Sequence, residues 1–94
     1  MIVVHVEHFL NAEGVDYFPQ WIVEAREVLG QFEGFRSIQQ LEWVDDPQTC
    51  HLWLEFERLE LLRAWSASEA HDELIDRLGA YRVKQQASKT FRVV

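Results

Sequence analysis

Four histidines, four tryptophans and one cysteine are the residues of this chain with chemistry to offer. The run His5-Val6-Glu7-His8 invites a metal reading. It lies in a Val-rich segment that reads as a strand, where residues three apart point to opposite faces, so His5 and His8 cannot share an ion. His5 and Glu7 do share a face, and His51 with Glu55 can adjoin them; the loose spacing gives no expectation of a metal. His71 falls at a position where a Leu would serve packing better, on the apolar stripe of a helix. An imidazole there is aimed at a cleft between helices and sheet, where it can act as a base or donate to a phenolic oxygen. The alternative is a structural histidine that ties down the Trp65-Ser66 segment by a hydrogen bond. His8 shares its strand face with Val4 and Val6, which puts it on the helix side near His71; the plainer reading is a strand-end histidine reaching solvent. Cys50 stands alone in an apolar strand pattern, which buries it, raises its pKa and argues against a nucleophile. No phosphate loop, nucleophile elbow or dinucleotide fingerprint is present.

The elements that must position these residues follow one another with short connections. Ile2 to Leu10 is the first strand, Asn11 to Gly14 a turn. Asp16 can cap a helix whose first turn holds Pro19. Phe18, Trp21, Ile22, Ala25, Val28, Leu29 and Phe32 then recur at helical spacing. Phe35 to Val44 is a second strand and Asp45-Asp46-Pro47-Gln48 a turn. Thr49 to Glu57 alternates strictly, with Cys50, Leu52, Leu54 and Phe56 on one face and His51, Trp53, Glu55 and Glu57 on the other. Leu59 to Trp65 is a short helix. Ser66 to Glu69 fits a capping box, with Ser66 as N-cap, opening a helix whose stripe is His71, Leu74, Ile75 and Leu78. Ala87 to Val94 is the last strand.

This order is an α+β plan, a ferredoxin-like split βαβ with one antiparallel sheet and helices on one face. Residues 1–94 make a single domain. The uncovered face should be polar, yet both faces carry large apolar groups among polar ones, and 48% of the residues are hydrophobic. Packing that face against a second copy resolves the surplus, so a homodimer is expected.

The net charge of −7 argues against nucleic acid and against anionic membrane surfaces. Five of the nine basic residues, and no acid, fall between Arg77 and Val94. The plain reading is a basic edge that complements the acidic remainder. No run is apolar enough to span a bilayer and Met1-Ile2-Val3-Val4 lacks the basic n-region of a secretory signal, so the expectation is a cytoplasmic protein.

Phe18 through Ala25, then Glu33-Gly34-Phe35-Arg36-Ser37, then Trp65-Ser66-Ala67-Ser68-Glu69-Ala70-His71 resemble, in order and spacing, the antibiotic biosynthesis monooxygenase domains. The acidic-aromatic third strand, Leu54-Glu55-Phe56-Glu57, fits the same pattern. The resemblance spans nearly the whole chain. It implies a dimeric α+β barrel in which two sheets close on each other. It also implies a cofactor-independent monooxygenase that oxidises a small phenol- or quinol-type aromatic with molecular oxygen as co-substrate, without metal or flavin. His71 is then the catalytic candidate. Trp65, His8 and Trp21 are the substrate-binding candidates, Trp65 being equally readable as a core anchor. The related haem-degrading branch carries a polar residue near the position of Val6 and its iron-binding histidine near that of Ile75. Both are apolar here, which disfavours haem. Fold alone does not fix activity. A non-catalytic barrel binding a small apolar ligand, and an isomerase on the same fold, are the alternatives.

Overall fold

A computed structural model describes residues 1–94. Its elements are β1 (Ile2–Leu10), α1 (Ala12–Leu29), β2 (Phe35–Leu41), β3 (Cys50–Phe56), α2 (Leu59–Ser66), α3 (Glu69–Gly79) and β4 (Arg82–Arg92). The four strands form one antiparallel sheet in the order β2-β3-β1-β4. β3 is inserted between β1 and β2, the strands that α1 connects, as the split βαβ plan requires. No helix is long and apolar enough to cross a membrane.

The core lies between one sheet face and the helices. Ile2 and Val4 from β1, Ile38 from β2, and Cys50, Leu52, Leu54 and Phe56 from β3 meet Phe18, Trp21, Ile22, Ala25 and Leu29 of α1. Leu62 and Trp65 of α2, with Leu74 and Leu78 of α3, complete the cluster. Phe18, Phe56, Leu29 and Leu78 are shut off from solvent, each contributing about 1.5–3 kcal/mol by burial. The period-2 and period-3.6 stripes of the sequence are the faces that meet here.

Element ends differ from the sequence expectations. α1 starts one turn before Asp16: Asn11 is its N-cap, its side chain accepting from the Gly14 N–H at 2.9 Å. The expected turn at Asn11–Gly14 is therefore helix, and Pro19 sits inside α1 rather than in its first turn. Proline there lacks the N–H that would bond the Val15 carbonyl. Gly14 is obligatory for packing, because a Cβ would come within 2.6 Å of Tyr81 and 2.8 Å of Leu10. β2 stops at Leu41 rather than Val44, since the chain turns at Trp43, whose carbonyl accepts from the Asp46 N–H at 2.9 Å.

Ser68, not Ser66, caps α3. Its hydroxyl accepts from the His71 N–H at 3.1 Å and donates to the Trp65 carbonyl at 2.7 Å, while Ser66 belongs to α2. β4 begins at Arg82, five residues before the expected Ala87. Its first half lacks alternating apolar residues, so only backbone pairing with β1 makes it a strand. Opposite His8 the β1–β4 register shifts: Glu7 pairs with Ala87, but Phe9 pairs with Lys84.

The second sheet face carries Val3, His5 and Glu7 of β1 in register with Glu55, Trp53 and His51 of β3. Their β4 neighbours are Phe91, Lys89 and Ala87. Phe91 is half exposed, as is Trp43 beyond the end of β2. No helix covers this face.

Candidate functional site

Between the helix-facing side of β1 and β4 and the helices α1, α2 and α3 lies a cavity of about 180 Å³. Aliphatic side chains form most of its wall, among them Val6 and Ile75. All four residues singled out from the sequence, His8, Trp21, Trp65 and His71, line it.

Each is positioned by a different element. Trp21 is buried on the inner face of α1, stacked on Phe18 with ring centres 5.6 Å apart. Its indole N–H donates to the Leu74 carbonyl of α3 at 2.8 Å. Trp65, at the end of α2, is buried with its ring edge-on to Phe32 at 4.9 Å and to His71 at 5.4 Å. It is core anchor and cavity wall at once.

His8 does not reach solvent, contrary to the plainer reading of its strand-end position. It is 3% exposed, edge-on to Trp21 at 5.4 Å and tilted on Phe18 at 5.9 Å. α1 lies across this end of β1, which strand periodicity alone cannot show. Burial pushes its pKa down to about 4, and the positive charge of Arg82 adds to the shift. The imidazole is therefore neutral near pH 7, and its Nδ1 has no hydrogen-bond partner.

His71 stands at the first turn of α3, with 28% of its side chain exposed. Its Nδ1 lies 3.2 Å from a carboxylate oxygen of Asp72. A carboxylate can only accept, so Nδ1 carries a proton, and in the neutral ring Nε2 is the nitrogen with the lone pair. The tie to the Trp65-Ser66 segment exists, but the His71 main-chain N–H makes it, through Ser68. The imidazole is left free of that structural duty.

Sequence reasoning missed Gln86, which reaches the same cavity from β4 together with Ser88 and Thr90. The alternation of polar Gln86, Ser88 and Thr90 was the available signal. It was hidden because the start of the strand is set by backbone pairing.

On the opposite sheet face, His5 and His51 lie nearly coplanar, with His5 Nε2 2.9 Å from His51 Nδ1. The Thr49 hydroxyl donates to the Asp46 carbonyl, so it must accept from His51 Nε2 at 2.9 Å. His51 Nδ1 is then the acceptor and His5 Nε2 the donor. Glu7 lies 3.9 Å from His51 Nε2, while Glu55 accepts from Ser37 at 3.3 Å. Two of the four polar residues grouped on this face from the sequence, His5 and His51, are thus joined by a hydrogen bond that continues to Thr49; Glu7 lies nearby without one, and Glu55 stands apart. Cys50 is buried on the cavity side of β3, and burial pushes its thiol up to about 11. A thiol so shifted is almost wholly protonated near pH 7 and a poor nucleophile.

The basic residues near the C-terminus divide. Arg77 joins α3 to α1, donating to Glu24 at 2.9 Å and to Glu73 at 3.3 Å. Lys84 lies over the Phe9 ring at 4.4 Å. Of the five basic residues, Arg77 alone pairs with acidic side chains of this chain.

No family model matches the chain, and no curated protein does. Solved structures do. An antibiotic biosynthesis monooxygenase is 18% identical with a TM-score of 0.81, the match covering 100% of this chain and 99% of that one. A Deinococcus radiodurans protein, provisionally named an antibiotic biosynthesis monooxygenase, is 17% identical with a TM-score of 0.86, over 100% and 93% of the two chains. A conserved protein from Methanosarcina mazei Go1 is 18% identical with a TM-score of 0.84, over 97% and 90%. The chain has the fold of these structures, a ferredoxin-like α+β fold, as the order of elements in the sequence implied.

Proposed function

We propose that the protein is a cofactor-independent monooxygenase that oxidises a small phenol- or quinol-type aromatic in the cavity between helices and sheet. The observation that carries this reading is the meeting of His8, Trp21, Trp65 and His71, from three helices and one strand, around one apolar cavity. A cavity of roughly 150 Å³ accommodates a benzene-sized guest, so about 180 Å³ suits a single substituted ring.

The two histidines divide the work. His8, with its pKa near 4, is a weak base and serves as a neutral hydrogen-bonding group. His71, with Nδ1–H directed to Asp72, offers Nε2 to take the phenolic proton. The phenolate passes an electron to oxygen, and the radical pair recombines to a carbon-bound peroxide in a largely apolar site. The ring carbon that bears the peroxide gives up its hydrogen as a proton to the distal oxygen as the O–O bond breaks, which leaves a carbonyl on the ring, and the departing hydroxide takes up the proton held by His71 to give water. The substrate supplies four electrons: phenol and O2 give quinone and water.

The uncovered sheet face, with Phe91 and Trp43 half exposed, supports the homodimer that the barrel needs. The test joins a native mass spectrum to oxygen-uptake assays on a panel of quinols and phenols. The reading expects a two-chain mass and oxygen consumption equimolar with quinone formed. A monomer sinks the barrel. A dimer that binds aromatics without consuming oxygen replaces the enzyme with a non-catalytic binding protein.

A further inference from the structure

Three polar side-chain atoms in the chain are buried without a hydrogen-bond partner: His8 Nδ1, Gln86 Oε1 and Arg82 Nη2. They are neighbours in the fold. His8 is on β1, and Gln86 lies on the stretch of β4 opposite it, between Ala87, which pairs with Glu7, and Lys84, which pairs with Phe9. β4 places one more residue in that interval than β1 does. Such an irregularity re-aims a side chain, and Gln86 enters the cavity beside His8. Arg82 pairs with Leu10, two residues beyond His8 on the same strand. An orphaned buried polar atom destabilises the fold, and native proteins rarely leave three together without a use.

We infer that His8 and Gln86 in the cavity wall, with Arg82 adjoining them outside the lining, form a polar end of the cavity that holds an ionised oxygen, carboxylate or phenolate, on the ligand's ring. This rests on the reading of the cavity as an aromatic-ligand site. Arg82 brings the positive charge and a free N–H. His8 can donate through Nδ1, because a neutral imidazole places its one proton on either nitrogen. Gln86 presents its amide, whose oxygen and nitrogen exchange places by a half-turn. Two of the three groups thus offer donors to an anion without any change of charge, and the third can turn to join them. The ring of the ligand then extends from this end toward Trp21 and Trp65. The polar end selects among aromatics of equal size by charge, which the aliphatic remainder of the cavity cannot do.

Benzoate, 4-nitrophenolate and the neutral benzyl alcohol are of similar size. They should be titrated by calorimetry at mildly alkaline pH, with the Trp21 indole N–H resonance followed in parallel. An ionised oxygen held by charge-assisted hydrogen bonds should make at least one of the anions bind about tenfold or more tighter than the alcohol. The tighter anion identifies the oxygen as carboxylate or phenolate. Arg82→Met keeps the side-chain stem, and Gln86→Leu keeps the bulk. Either should bring the anion to within about twofold of the alcohol, with the Trp21 indole N–H resonance showing the fold unchanged. Equal binding of anions and alcohol to the unaltered protein overturns the inference while leaving the aromatic cavity standing. Anion preference that survives both substitutions overturns it as well. If none of the three probes binds, both the inference and the reading it rests on fail.

Discussion

The indole N–H of Trp21 donates to the main-chain carbonyl of Leu74 at 2.8 Å, so one side chain of α1 fixes the position of α3. Both residues line the cavity. The bond therefore sets the distance between the α1 wall and the helix that carries His71. Trp21→Phe removes the donor and part of the ring. It should destabilise the fold by about 2–4 kcal/mol, combining a lost hydrogen bond with a partly filled void. Denaturant unfolding measures this; a change under 1 kcal/mol would mean α3 is held by other contacts.

His8 makes stability depend on pH. Its folded pKa, about 4, lies below the unfolded value of 6.5. The unfolded chain therefore binds the proton more readily in that window. The contribution is fully present above about pH 6.5 and is lost as pH falls toward 4, amounting to about 3 kcal/mol. Unfolding curves for the native sequence and for His8→Leu, taken from pH 7 down to 4, should diverge in slope over this range. Parallel curves would place the titration elsewhere.

His71→Ala should leave the fold intact, because the cap at Ser68 uses the main-chain N–H of residue 71. Turnover of a competent phenol should fall by about 10²–10⁴-fold, the usual cost of removing a general base. Loss of rate with unchanged circular dichroism and dimer mass supports the assignment. An unchanged rate removes His71 from the chemistry.

Gly34 has φ of 85°, and a Cβ there would collide with the Leu61 side chain. Its carbonyl also accepts from the Glu57 N–H at 2.8 Å, tying the start of β2 to the end of β3. Gly34→Ala should cost about 1–3 kcal/mol. Recovery by the added change Leu61→Ala would show that collision dominates over backbone strain.

The sequence by itself determined the element order, the faces of β1 and β3 and the face of α1 that is buried. Val4, Val6 and His8 alternate with His5, Glu7 and Phe9, and Cys50, Leu52, Leu54 and Phe56 alternate with their neighbours. Side-chain period is a local property, and burial follows it. The four candidate site residues were legible for the same reason, each lying on an inward stripe. Element ends were less so. Asn11 and Ser68, rather than Asp16 and Ser66, cap the helices, because capping is decided by which hydroxyl or amide meets an unpaired N–H once the chain is folded. Only the tertiary structure decided that His8 is sealed beneath α1, that β4 begins at Arg82, and that the shifted register of β4 turns Gln86 into the cavity. Those depend on pairing between β1 and β4, some 75 residues apart in the chain. A strand without its own apolar alternation carries no local trace of that pairing.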